Sequence, residues 1–210
     1  MFRRFLASIV LIAGMSAAGA CPAADLSVLV RDRAGRPVRD AVVMLNATGA
    51  ASPRPEGGYT VLQQNLKFSP FVLIVPVGAD VSFPNRDTVR HHVYSFSPAK
   101  PFELKLYGSD QAARAVPFDK AGVVALGCNI HDSMVAFIRV VATPFAAKTD
   151  ATGHARLRGA PSGGTTLTIW HPYLKAPRNE LARPVNLGAN ETNMTLDVDL
   201  RAAPDRSGAY

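Results

Sequence analysis

Cys128, His131 and Met134 fall within seven residues of one another, between an apolar run entering at 123–126 and a β-branched and aromatic run leaving at 135–140. That pattern predicts strand, loop, strand. It gathers a thiolate, an imidazole and a thioether in one hairpin loop. Magnesium and calcium prefer oxygen, and the thioether argues against zinc, so the trio suits copper. A copper electron-transfer site takes two His, one Cys and a weak axial Met, and the second His must therefore come from elsewhere. His91 is the candidate. His92 is the alternative with the register shifted by one, because neighbours on a strand point to opposite faces and only one of the pair can enter the site. Each residue alone has a plainer reading: Met134 as core, Cys128 as a buried inert thiol. His154 and His171 have no soft donor near them in sequence and read as structural or surface residues.

Positioning these donors requires strands. Around His91 a strand ending at Phe83 runs through Asn85-Arg86-Asp87 into a loop, and a new strand opens at His91-His92-Val93. Residues 71–75 and 81–83 flank a turn at 77–80, and residues 118–122 turn the chain into the Cys128 strand. Phe102, Leu104 and Leu106 alternate with Glu103, Lys105 and Tyr107, which predicts a half-buried strand with Tyr107 on its polar side. No helical period of useful length follows the first twenty residues, and 16 Gly with 16 Pro punctuate the chain at short spacing, as in all-β proteins.

Outside this region, residues 26–45 read as strand, Gly/Pro turn, strand. A lone hairpin is not stable in water, so it must pack on something later in the chain. Strand-like runs within 146–173, and Met194, Leu196, Val198 and Leu200 alternating with Thr195, Asp197 and Asp199, supply that partner. The expected organisation is a β-sandwich of residues 25–60 plus 143–201, interrupted by a second sandwich over 61–142, with a disordered tail at 202–210.

Met1-Phe2-Arg3-Arg4, an apolar run and Ala18-Gly19-Ala20 have the form of a secretory signal peptide over residues 1–24, which predicts export to the periplasm. The apolar run is shorter than the ~20 residues of a spanning helix. Without Arg3 and Arg4 the net charge falls from +7 to about +5. The basic residues are scattered, and with export they argue against nucleic acid as a partner. If Cys21 leaves with the leader, Cys128 is the sole thiol and cannot form an internal disulfide, which leaves a metal thiolate or a reactive thiol. A lipoprotein processed at Cys21 is a weaker alternative.

His91-His92-Val93 after Asn85-Arg86-Asp87, together with Cys128-x-x-His131-x-x-Met134, resembles the ligand motifs of the cupredoxins, or blue copper proteins. The short ligand loop is similar to that of amicyanins. Asn65-Leu66-Lys67-Phe68-Ser69-Pro70 and Val81-Ser82-Phe83 resemble the first strands of plastocyanin. The resemblance covers residues 62–142, and the flanking segments resemble a carboxypeptidase-regulatory-like or transthyretin-like sandwich. Chains of this layout resemble those labelled methylamine utilisation proteins. The resemblance implies a Greek-key sandwich holding one type 1 copper through His91, Cys128, His131 and Met134. It also implies a monomeric one-electron carrier serving a c-type cytochrome or a dehydrogenase. A copper carrier or chaperone without electron transfer, and a structural surface-binding module, are the alternatives. An enzyme is not expected, since four protein ligands leave no open position. One departure stands out: Leu126-Gly127 precedes the Cys where plastocyanins carry aromatic residues.

Overall fold

The computed structural model describes residues 23–46 and 50–204. The leader reading lies outside them except at its end, as does the tail from 205 onward. The strands in chain order are β1 (Ala23–Asp32), β2 (Val42–Leu45), β3 (Tyr59–Thr60), β4 (Leu62–Gln63), β5 (Phe68–Ser69) and β6 (Val72–Pro76). They continue with β7 (Ala79–Phe83), β8 (His91–Ser95), β9 (Phe102–Tyr107), β10 (Arg114–Phe118), β11 (Gly122–Gly127) and β12 (Val135–Val141). The last five are β13 (Ala146–Lys148), β14 (His154–Pro161), β15 (Gly163–Trp170), β16 (Glu180–Leu187) and β17 (Thr192–Val198). The described residues are all-β apart from one 3₁₀ turn at Pro177–Asn179, and none of their helices is long and apolar enough to cross a membrane.

Two sheets are built from the ends of the chain: β14-β1-β17, in which β17 runs parallel to β1, and the antiparallel β13-β2-β15-β16. Leu26, Val28 and Val30 alternate inward along β1 and meet Val43, Leu45, Leu167 and Ile169 from the facing sheet. β1 starts earlier than the expected leader boundary at 24. Ala23 and Ala24 pair with Pro161 and Ala160, and Ala24 is buried, so these two residues belong to the sandwich.

The middle of the chain forms a second pair of sheets, β6-β12-β11-β8-β9 and β10-β7-β3, with the small β4-β5 ribbon beside them. Tyr59 and Thr60 of β3 pair with β7, within this unit. Its core is made by Phe83, Phe118, Leu126, Ile138 and the inward residues around them, and it includes Cys128 and Met134. The alternation read for β9 fails at its end. The β8–β9 pairing shifts register between His91 and Val93, so Leu106 turns outward and Tyr107 is fully buried. An inserted residue in one strand reverses the inside–outside phase beyond it. Tyr107 then donates to the Phe83 carbonyl at 2.5 Å and accepts from Gln63 Nε2 at 2.6 Å, and burial pushes its phenol up to about 12.

The four residues of β2 are all buried because both faces are covered. Val43 and Leu45 enter the core of the outer sandwich, while Val42 and Met44 meet Val72, Val141 and Trp170 in a seam against the inner one. Trp170 packs edge-on to Phe137 with ring centroids 5.9 Å apart, and Arg139 of β12 reaches Glu180 of β16 at 2.8 Å. This seam joins the sheet that bears the Cys128 loop to the rest of the molecule.

Candidate metal centre

β11 and β12 are antiparallel and pair up to Gly127 and Val135, so residues 128–134 form the connection at one end of the sheet. The Met134 N–H donates to the His131 carbonyl at 3.0 Å and closes the turn. On the other side of β11, Tyr94 of β8 pairs with Gly127, which brings the start of β8, where His91 lies, beside Cys128.

The side chains converge. His91 Nδ1 lies 3.2 Å from His131 Nδ1, and Cys128 Sγ lies 3.8 Å from that same nitrogen. All three donor atoms fall within 4.8 Å of one another. His91 is fully buried, Cys128 nearly so, and the two imidazoles meet edge to face at 67°. For an ion central among three donors, bonds of about 2.0 Å to nitrogen require separations of about 3.5 Å. The His91–His131 and Cys128–His131 separations therefore stand within a few tenths of an ångström of the spacing a metal needs. Met134 is fully buried and follows the His131 turn in the same core cluster as Cys128. The donor set fits copper: imidazole and thiolate serve both oxidation states, and among the described residues the three-donor group contains no carboxylate oxygen, which calcium or magnesium would prefer.

The structure separates His91 from His92. His92 points to the opposite face of β8, where its Nε2 lies 2.8 Å from Glu103 Oε1 and its ring lies against Tyr94. His154 opens β14, and His171 is buried near Asp40 and the Arg39 backbone, accepting the Tyr173 N–H on Nδ1 at 3.2 Å. Both lie in the outer sandwich, away from the soft donors.

Two residues that sequence reasoning did not assign stand at this site. Asp87, read only as part of a turn, lies four residues before His91 with Oδ2 2.7 Å from its Nε2. Burial works to raise the Asp87 carboxyl, but hydrogen bonds from His91 and from the Leu66 and Asn65 amides outweigh it and hold the pKa below the usual carboxylate value. Tyr94 is the other. Its ring lies on Gly127, so that a Cβ there would sit 2.7 Å from Tyr94 Cζ. An aromatic group therefore does stand next to the residue before Cys128, supplied by β8 rather than by β11. The Asp87–His91 spacing of four could have been noticed in the sequence; the Tyr94–Gly127 pairing could not.

No protein-family model matches this chain, and no curated protein matches it. Several solved structures are similar to part of it. A copper-containing nitrite reductase from Thermus scotoductus SA-01 is 28% identical over 54% of this chain, with a TM-score of 0.38, and the match spans only 28% of the reductase. A reduced Cu(I) form of an amicyanin mutant is 22% identical over 47% of this chain and 98% of its own, with a TM-score of 0.37. A purple cupredoxin from Nitrosopumilus maritimus is 22% identical over 40% of this chain and 99% of its own, with a TM-score of 0.35.

Proposed function

We propose that the chain is an exported, monomeric type 1 copper protein that carries one electron at a time between periplasmic redox partners, such as a c-type cytochrome and a dehydrogenase. The observation that carries this reading is the convergence of two imidazole nitrogens and the Cys128 sulfur within 4.8 Å, with His91 and Cys128 buried. When bound, copper supplies a one-electron couple. Cys128 would provide the thiolate, deprotonated on metal uptake, and His91 and His131 would each provide one ring nitrogen. Met134 would add a weak thioether donor to the same ion. With four protein donors there is no position for substrate, so the reading is a carrier and not an enzyme.

The role of the fold is to hold the donors at nearly their final positions before metal arrives. His91 is clamped between strands and by Asp87, and Cys128 and Met134 are packed in the core. A site that rearranges little between oxidation states exchanges electrons with a small barrier. His131 is the half-buried member of the set, and its ring would be the ligand most open to a redox partner.

Equilibrium dialysis against cupric ion followed by voltammetry tests the reading. It expects one ion per chain and a reversible one-electron wave. Tight uptake without reversible cycling would replace it with copper delivery, and absence of uptake with a structural role.

A further inference from the structure

Beside the seam that joins the two sandwiches lies a cleft of about 890 Å³ that the copper reading does not use. Its size is that of a small-molecule site. Met44 of β2, Val123 of β11 and Pro98 supply apolar wall, and the charged residues on its lining are Arg139, Arg178 and Glu180. Arg139 pairs with Val123, four residues along β12 from Val135 where the Cys128 loop joins, which places it about 13 Å down the strand from that loop.

Arg139 is mostly buried and incompletely paired. Its Nη2 meets Glu180 Oε1 at 2.8 Å and its guanidinium lies 5.9 Å from the centre of the Trp170 ring, but its Nε is buried with no hydrogen-bond partner among the described residues. A buried donor left unsatisfied is costly, and native proteins keep few of them. Arg178 is the opposite case: its side chain is 84% exposed, and its Nε stands 3.7 Å from Glu180 Oε2, too long for a firm bond. The backbone beneath it is strained. Arg178 and Asn179, in the 3₁₀ turn at Pro177–Asn179, are consecutive left-handed residues with φ of 54° and 58°. Asparagine tolerates that region, whereas arginine adopts it at a cost. The Asn179 side chain fastens the turn, donating from Nδ2 to the Pro172 carbonyl at 2.9 Å and accepting Arg201 Nη2 on Oδ1 at 2.6 Å. Held in this way, the turn sets Arg178 beside Glu180 on the lining of the cleft. Backbone strain of this kind collects at ligand sites.

Glu180 shows what the two arginines accept. Its carboxylate spans them, one oxygen toward each, yet two guanidinium charges face a single carboxylate and leave an excess of positive charge beside apolar wall. We propose that this cleft is a binding site for a small organic carboxylate with an apolar body. The arginines share its carboxylate, and its body lies along Met44, Pro98 and Val123. The planar fork of a guanidinium matches the two oxygens of a carboxylate, which gives orientation as well as charge. A neutral or cationic molecule of the same length gains nothing from Arg139 and Arg178. The site stands apart from the Cys128 loop and does not depend on the copper reading.

Trp170 is the only tryptophan in the chain and lies against Arg139, so its fluorescence reports on the site. Titration of the full chain, without added metal, with hexanoate should give a saturable change, and calorimetry should return the same Kd with one molecule bound per chain. Hexanol and hexylammonium, equal in length, should bind about 10-fold more weakly or not at all. Arg178→Gln removes an exposed charge and should weaken hexanoate about 10-fold, as loss of one charge-assisted hydrogen bond does. Glu180→Gln removes the competing carboxylate and should tighten it. Absence of saturable hexanoate binding by both methods overturns the proposal, as does hexanol binding as tightly as hexanoate, or an affinity that neither variant moves. The wild-type titrations with the three probes need no variant, so they decide the matter if a variant does not fold.

Discussion

His171 offers a perturbation whose size follows from the structure. It is buried against Asp40 and the Arg39 backbone and accepts the Tyr173 amide on Nδ1, so its neutral form is built into the outer sandwich. Burial depresses its pKa from 6.5 to about 4, with Asp40 and the Arg39 backbone pulling weakly the other way. Above pH 6.5 the imidazole is neutral in both folded and unfolded chains and has no linked effect. As pH falls below 6.5 the unfolded chain takes up a proton that the folded chain refuses, and stability is lost until pH reaches the folded pKa. The loss integrates to about 2 kcal/mol by pH 5 and about 3 kcal/mol by pH 4. Urea denaturation of the metal-free protein at pH 7.5, 6, 5 and 4.5 measures it. His171→Asn retains an acceptor for the Tyr173 amide and carries no titrating ring, so its stability should be flat across the window where the wild type declines. A wild type as stable at pH 4.5 as at pH 7.5, or a variant with the same decline, would refute the reasoning.

Gly127→Ala places a methyl group 2.7 Å from Tyr94 Cζ and 2.8 Å from its hydroxyl oxygen, and should cost about 1–3 kcal/mol by overpacking. In a Tyr94→Ala background most of that cost should disappear, and an unchanged penalty there would mean that Tyr94 is not what excludes the side chain. Tyr107→Phe removes a buried hydroxyl that serves both Gln63 and Phe83, for a loss of about 1–3 kcal/mol of unfolding free energy measured by urea denaturation. Ultraviolet titration of the wild type should show one tyrosine ionising only near 12. Met134→Leu is nearly volume-conserving at a fully buried position, so stability should change by less than about 1.5 kcal/mol. The copper-loaded variant should stay coloured with its potential shifted upward, and an unmoved potential would remove Met134 from the ligand set.

The Cys128, His131 and Met134 loop was legible because its donors are local: three polar or soft residues between two apolar runs have few other readings. The all-β class was legible for the same reason, since period-two alternation and Gly/Pro punctuation are local signals. The choice between His91 and His92 was not, because alternation says that two neighbours diverge and does not say which one faces the core. Tyr107 was placed on the polar face because a register shift, invisible in an alternating string, reverses the phase along β9. Tyr94 and Gly127 touch only through strand pairing across 33 positions of sequence, so the aromatic beside the Cys strand could not be seen from the residues flanking Cys128. Asp87 shows an intermediate case. Its spacing from His91 hinted at contact, but its worth depends on the two left-handed amides of the 64–67 turn, which no propensity would place at a leucine.

The claim on which the account turns is that Cys128 and His91 bind the same cupric ion, and the visible spectrum of the copper-loaded protein tests it most directly. The wild type should show an intense thiolate-to-copper band, retained when His92 is exchanged for Asn and lost in Cys128→Ser and in His91→Ala. A wild type that takes up cupric ion without such a band, or a band that survives loss of His91 and vanishes with His92, would contradict it.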